Sequence, residues 1–186
     1  MVLPGHIAGG YLFTRAFLAL THATFSASQT TALLIIGTLA GELPDIDLLR
    51  FYLANRSGFS IDHNHRLYAT HAPLFWLIVS LIVVALGYIV SSPFVIYLGW
   101  IILSGSWGHL ILDSIEDGVM WLWPFSRQRF ALRNVPDFDA AKYAGKYRPG
   151  TFAFYWDYIW TVYIGRRVTF YVEIFITLAA IWVLFK

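Results

Sequence analysis

The chain contains no cysteine. That excludes a disulfide framework, a thiolate metal site and a thiol nucleophile, so any metal must be held by histidine and carboxylate. Charge is scarce too: Asp, Glu, Lys and Arg make up 13% of 186 residues, about half the share usual in soluble domains. With a net charge of only +2, the basic excess that nucleic-acid binding needs is missing. No low-complexity tract or acidic tail marks a disordered region. What fills the chain is apolar, 58% hydrophobic and 18% aromatic, a composition that suits a membrane protein with aromatic belts at headgroup level. The length allows a single domain, residues 1–186.

Three runs have the length and apolarity of membrane spans. Pro73–Val90 carries no charge and as a helix would extend about 27 Å. Pro93–Leu112 and Val168–Phe185 follow, the last with Glu173 inside it, expected to reach the interface or to pair with Arg166 or Arg167. His6–Phe25 is interrupted by Arg15, and Thr31–Leu43 is short; together they read as a helical hairpin turned at residues 24–29. Arg15 and the lack of a basic leader argue against a signal peptide. The expected fold is all-α, a polytopic membrane bundle of about five membrane helices, with residues 126–167 as a polar, irregular or interfacial connection. Lys and Arg are absent from the Ser91-Ser92 turn but recur at Arg50, Arg56 and Arg66, and again from Arg127 to Arg167. By the positive-inside rule both basic segments and the N-terminus face the cytoplasm.

Residues with ligand chemistry then collect at one depth. His6 opens the first helix, Asp45 and Asp47 follow the second, His63, His65 and His71 precede the third, and His109 and Asp113 close the fourth. His109 and Asp113, spaced i, i+4, share one helical face. Asp45 and Asp47 share a side only if the chain is extended there. Each taken alone also reads as a cap, a hydrogen-bonded pair or an interfacial histidine. Jointly they read as a metal site, because ionisable groups at membrane depth are expensive. His22 falls at the opposite end, and His63 reads as a neighbour of the ligand His65. Nitrogen and oxygen ligands without sulfur suit Zn, Mn or Fe. Seven candidates exceed one tetrahedral zinc, which implies two ions, or one ion with supporting partners. Two cations would activate a shared water and clamp substrate oxygens, so hydrolysis follows. Ser104, Ser106 and Ser114 lie near His109 without a nucleophile elbow, and no Gly-rich phosphate loop is present.

These residues also carry a resemblance. His6 with Gly10, GELPDIDLL, His65-Arg66, Thr70-His71 and GHLILDSIEDGVMWLWPFSRQRF at 108–130 resemble the YdjM-like family of predicted inner-membrane metal-dependent hydrolases, over about residues 6–130. The resemblance implies a bacterial inner-membrane helical protein with a metal site of His6, Asp45, Asp47, His65, His71, His109 and Asp113. Two positions depart from the pattern: Ala72 stands where Ser is usual and Glu42 where the family is commonly apolar, and neither is a ligand. More distantly, the ligand types are similar to the all-helical zinc-dependent phospholipase C and nuclease group, which points to phosphoesters. Arg66, beside a ligand, is placed to pair with a phosphate oxygen, while Arg127 and Arg129 read as topology-setting charge.

The expected activity is hydrolysis of a phosphoester, a lipid or small amphiphile at the cytoplasmic leaflet, by metal-activated water. Asp47, Arg66 and Asp113 form the candidate catalytic set, with a divalent transition metal, Zn or Mn, as one or two ions. The competing readings are a membrane amide hydrolase, against which stands the absence of HEXXH, and a non-catalytic metal-binding protein or transporter, which should hold its ligands near the midplane.

Overall fold

The computed structural model describes residues 3–55, 65–133, 151–164 and 167–186. Among them lie seven α-helices: α1 Leu3–Leu20, α2 Ala27–Ala40, α3 Ile46–Asn55, α4 Pro73–Ile89, α5 Pro93–Asp113, α6 Phe152–Asp157 and α7 Val168–Leu184. The fold is all-α, as the apolar runs predict. Of the basic positions used for orientation, Arg56, Lys142, Lys146, Arg148 and Arg166 lie outside the described residues, as does His63.

Boundaries differ from the sequence reading where local capping decides them. α2 starts four residues before Thr31 because Ser26 forms a capping box. Its hydroxyl accepts from the Gln29 N–H and the Gln29 side chain accepts from the Ser26 N–H. The hairpin turn therefore lies between Leu20 and Ala27, where His22 has a φ of 49°. α4 and α5 each begin with Pro at the first helical position, Pro73 and Pro93, where the missing N–H costs nothing. The connection after residue 126 is not wholly irregular, since it contains α6 and a π-helical stretch, Tyr158–Ile164.

α5 is the axis of the bundle, packed against α1, α2 and α4, with α7 laid along α1. Small residues set that packing. A Cβ on Gly105 would lie 2.5 Å from the Gly37 carbonyl oxygen, and one on Gly41 would lie 2.6 Å from the His6 carbonyl oxygen. Backbones this close are typical of membrane helix crossings, where small residues replace interdigitating side chains. The outer faces stay apolar and exposed, with Ile82 and Leu86 on α4, Leu39 on α2 and Phe175, Leu178 and Trp182 on α7. An apolar surface of that extent marks contact with a partner or with lipid.

One helix, α5 with its 21 residues, is long and apolar enough to cross a membrane by length and composition. The apolar helices α2, α4 and α7 have 14, 17 and 17 residues. The expectation of about five spans thus meets five packed helices, α1, α2, α4, α5 and α7, of which α5 alone, among the described residues, combines the length and the apolarity of a span.

Gly105→Ala should force α5 away from α2 and cost about 1–3 kcal/mol, as overpacking does. Thermal unfolding in detergent checks it, and Ile82→Ala on the exposed face of α4 should leave the midpoint almost unmoved.

Candidate metal centre

Five of the predicted ligands meet at one end of the bundle, with a sixth, Asp47, behind His71. His6 comes from the first turns of α1 and Asp45 from a 3₁₀ turn, Leu43–Asp45, that Pro44 starts after α2. His71 comes from a second 3₁₀ turn, Ala69–His71, before α4, while His109 and Asp113 lie on the last turns of α5. Trp76 in the first turn of α4 donates its indole N–H to the Thr70 carbonyl at 2.6 Å, which holds the turn bearing His71 in place.

The ligand-type atoms form a continuous chain of near neighbours. His71 Nε2 lies 3.2 Å from Asp45 Oδ1, which is 3.8 Å from His109 Nε2; His109 Nε2 is 3.7 Å from Asp113 Oδ2, and Asp113 Oδ1 is 3.3 Å from His6 Nε2. The His6 and His109 rings stack with centroids 3.6 Å apart. All three imidazoles and Asp113 are fully buried, and Asp45 is 23% exposed at its side chain.

The outer nitrogens show which atoms face inward. A backbone carbonyl can only accept, so His109 Nδ1, 2.7 Å from the Gly41 oxygen, must carry the proton. His109 Nε2 is then a lone pair, buried and without a hydrogen-bond partner. His71 Nδ1 is likewise 2.7 Å from Asp47 Oδ2, and Thr70 Oγ1 donates to the same oxygen. Carboxylate or carbonyl on the far nitrogen is how metal-ligating histidines are oriented.

Asp45 and Asp47 reach this centre by a route the sequence reading did not foresee. The backbone is helical, 3₁₀ then α3, so the two carboxylates diverge. The divergence lets them take opposite nitrogens of one imidazole, Asp45 on Nε2 and Asp47 on Nδ1. Burial pulls His71 down, but these two carboxylates raise it to about 9. Burial would raise Asp45; its hydrogen bond to His71 and the neighbouring His109 hold it below the ordinary range instead.

Arg66 is engaged within the protein. Its Nε donates to Asp113 Oδ2 at 2.9 Å, and a terminal nitrogen lies 3.7 Å from Asp117 Oδ2. Burial pushes Asp117 up, yet Arg66 and then Arg167, at 3.1 Å, hold it down at about 2. His65 opens a 3₁₀ turn, His65–Leu67, and its side chain lies outside the described residues. His22 is remote, in the turn after α1. Ser106 donates back to the Ile102 carbonyl and Ser114 to that of Leu110, so both hydroxyl protons serve helix carbonyls. Arg129 donates to the Asp117 carbonyl.

Sequence reasoning missed Asp117 and Glu116, and it did not give Glu42 or Glu173 the surroundings they have. Asp117 follows Asp113 by four residues and was legible as the next step of the His109–Asp113 ladder. Glu42 has both carboxylate oxygens buried without a hydrogen-bond partner, and burial, then Asp45 and Asp113, raise it to about 7. Glu116 and Glu173 make long-range caps that no local pattern announces. Glu173 does not reach the surface, and Arg166, one of its two expected partners, lies outside the described residues. The Glu173 carboxylate is buried and accepts from the Gly5 N–H and the Tyr163 hydroxyl.

The model of the YdjM inner membrane protein family matches residues 1–186, the whole chain. The chain belongs to the YdjM inner membrane protein family. The match runs well past the motifs that end near residue 130, so α6 and α7 are part of the family's domain. No curated protein and no solved structure matched the chain.

His109→Ala should strongly reduce bound divalent metal without unfolding the bundle. Asp47→Asn, which disturbs only the orientation of His71, should weaken affinity about 10–100-fold. Competition against a chromophoric chelator measures both, and His22→Ala should match the parent protein.

Proposed function

We propose that this YdjM-family protein is a membrane-embedded, metal-dependent hydrolase whose ions sit among His6, Asp45, His71, His109 and Asp113. The observation that carries the reading is the buried His109 Nε2, without a hydrogen-bond partner and 3.7–3.8 Å from carboxylates on two different elements. Two atoms bonded to one ion at about 2.0–2.2 Å stand roughly 3–4 Å apart, and the four ligand separations given above fall in that range. Three sets of three within the cluster, His6/Asp45/His109, His71/His109/Asp113 and Asp45/Asp47/His71, have mutually close ligand atoms. More than one ion position is thus available. The donor set is imidazole and carboxylate, which suits Zn or Mn. When bound, such an ion supplies Lewis acidity and a nucleophilic water near neutral pH.

The chain's own groups prepare that chemistry. Asp47 and the Gly41 carbonyl turn the Nε2 atoms of His71 and His109 inward. Arg66 fixes Asp113 and places a cation at the partly open rim, where its side chain is 17% exposed. A cation there favours an anionic substrate, which supports a phosphoester over an amide. Next to Asp45 and Asp47, α3 leaves Ile46, Leu49 and Leu53 exposed on one face. An apolar stripe at the mouth of the site favours an amphiphile with its tail in the bilayer. The cluster lies at one end of the bundle, with Ser91 in the turn at the other end of α4, and together with the basic counts this supports a site at the cytoplasmic leaflet.

Chelation should abolish phosphoesterase activity toward phospholipid in mixed micelles, and a divalent transition metal should restore it. Arg66→Lys should retain metal and lower turnover about tenfold or more, since it keeps the charge and loses the Nε hydrogen bond. A metal-loaded protein that cleaves only peptides, or only transports the ion, would sink the phosphoester reading. The lack of native cysteine makes topology simple to test. Ser91→Cys should react with a membrane-impermeant maleimide on intact cells, and Gln128→Cys only after permeabilisation.

A further inference from the structure

Two carboxylates outside the centre link it to the last helix, and both are buried: Glu116 is 3% exposed and Glu173 is 7% exposed. Glu116 lies three residues beyond Asp113. Its Oε1 accepts from the Val168 N–H at 3.1 Å, and its Oε2 accepts from the Thr169 N–H at 3.0 Å and the Thr169 hydroxyl at 2.8 Å. These are the first N–H groups of α7, whose own N-cap residue, Arg167, makes no side-chain cap. Glu116 therefore serves as an external N-cap, and its negative charge stands at the positive end of the helix.

One turn further into α7, Glu173 repeats the device on another helix. Its Oε1 accepts from the Gly5 N–H at 3.1 Å, in the first turn of α1, and its other oxygen takes the Tyr163 hydroxyl. The residue after Gly5 is His6, whose ring stacks on His109 and whose Nε2 faces Asp113. The links close on themselves: from Asp113 through Glu116 to α7, through Glu173 to α1, and through His6 back to Asp113.

We propose that α7 is a positioning element of the metal centre, in which Glu116 and Glu173 set the depth and angle of His6 against Asp113 and His109. The inference rests on the metal reading above and adds two positioning residues to it. Among the described residues α7 contributes no ligand to the cluster; besides these two carboxylates, Arg167 at its start pairs with Asp117 at 3.1 Å. His6 sits on the first two turns of α1, where helices fray most readily unless their N–H groups are satisfied. A frayed first turn would leave His6 free to swing off the cluster, and the Glu173 contact stops it.

The test uses the full-length protein in detergent, loaded with Co(II) as a spectroscopic stand-in for the native ion. Glu173→Ala should weaken Co(II) affinity about 10–100-fold and shift the visible absorption bands. Glu173→Gln, whose carbonyl oxygen still accepts the Gly5 N–H, should retain most of both. Glu116→Gln puts an amide N–H against the donors of α7 and should resemble Glu173→Ala; it carries the test if the alanine variant fails to fold. A purely structural role would lower thermal stability in the variants while leaving affinity and spectrum unchanged, and that result overturns the proposal. If the parent protein itself takes up no Co(II), the centre is not a metal site and the positioning role falls with it. If the parent binds and the variants bind equally, the positioning role alone fails.

Discussion

A carboxylate with no exposure at the end of an apolar helix bundle is the constraint from which the rest of the polar end follows. Asp113 is fully buried, and a buried charge must be compensated or it destabilises the fold by several kcal/mol. Each of its oxygens is met from a different part of the chain, one by Arg66 and the other by His6, with His109 below on the same helix. Arg66 then brings in Asp117, which brings in Arg167 at the start of α7. Ends of helices that would otherwise meet only lipid and one another are thereby tied into one network. The same demand explains why the turns before α3 and α4 fold back over the bundle instead of extending away from it, since Asp45, Asp47 and His71 satisfy one another there.

Much of this was legible in the sequence, because two independent signals agreed. Apolar runs give helices, and their order alternates direction, so residues at alternate ends of successive runs must come together. That argument alone brings His6, Asp45, His71, His109 and Asp113 to one depth, and the structure gathers all five. The backbone around Asp45 and Asp47 was not legible, because Pro44 is compatible with an extended chain or a 3₁₀ turn and only tertiary contact chooses. The partners of Arg66 and Glu173 were hidden for a different reason. Contacts across 47 and 168 positions of sequence leave no periodic trace, and a lone Glu in an apolar run reads the same whether it faces a headgroup or another helix.

Composition and structure diverge at helix ends. The apolar run from Thr31 marks α2, yet the helix starts four residues earlier, at Ala27, where Ser26 caps it. Hydropathy measures what a segment tolerates, whereas hydrogen bonding and capping decide where the helix ends. The glycines act on the same level. At Gly37, Gly41 and Gly105 the absence of a side chain brings backbones within reach of one another, and this crossing places α5 at the centre with His109 and Asp113 facing inward.

The Gly41 carbonyl that orients His109 belongs to the main chain, and this changes what mutation can reveal. No substitution at position 41 removes an oxygen that every amino acid possesses, so a side chain placed there acts only by displacing that oxygen, through a Cβ that would lie 2.6 Å from the His6 carbonyl. Its contribution is a matter of distance alone. The residues that govern it are the small ones at the crossing of α2 and α5, Gly37 and Gly105 beside Gly41 itself. Evolutionary drift in the size of those residues would detune the histidine without altering a single polar group, which ties the chemistry of this end of the molecule to the spacing of its helices.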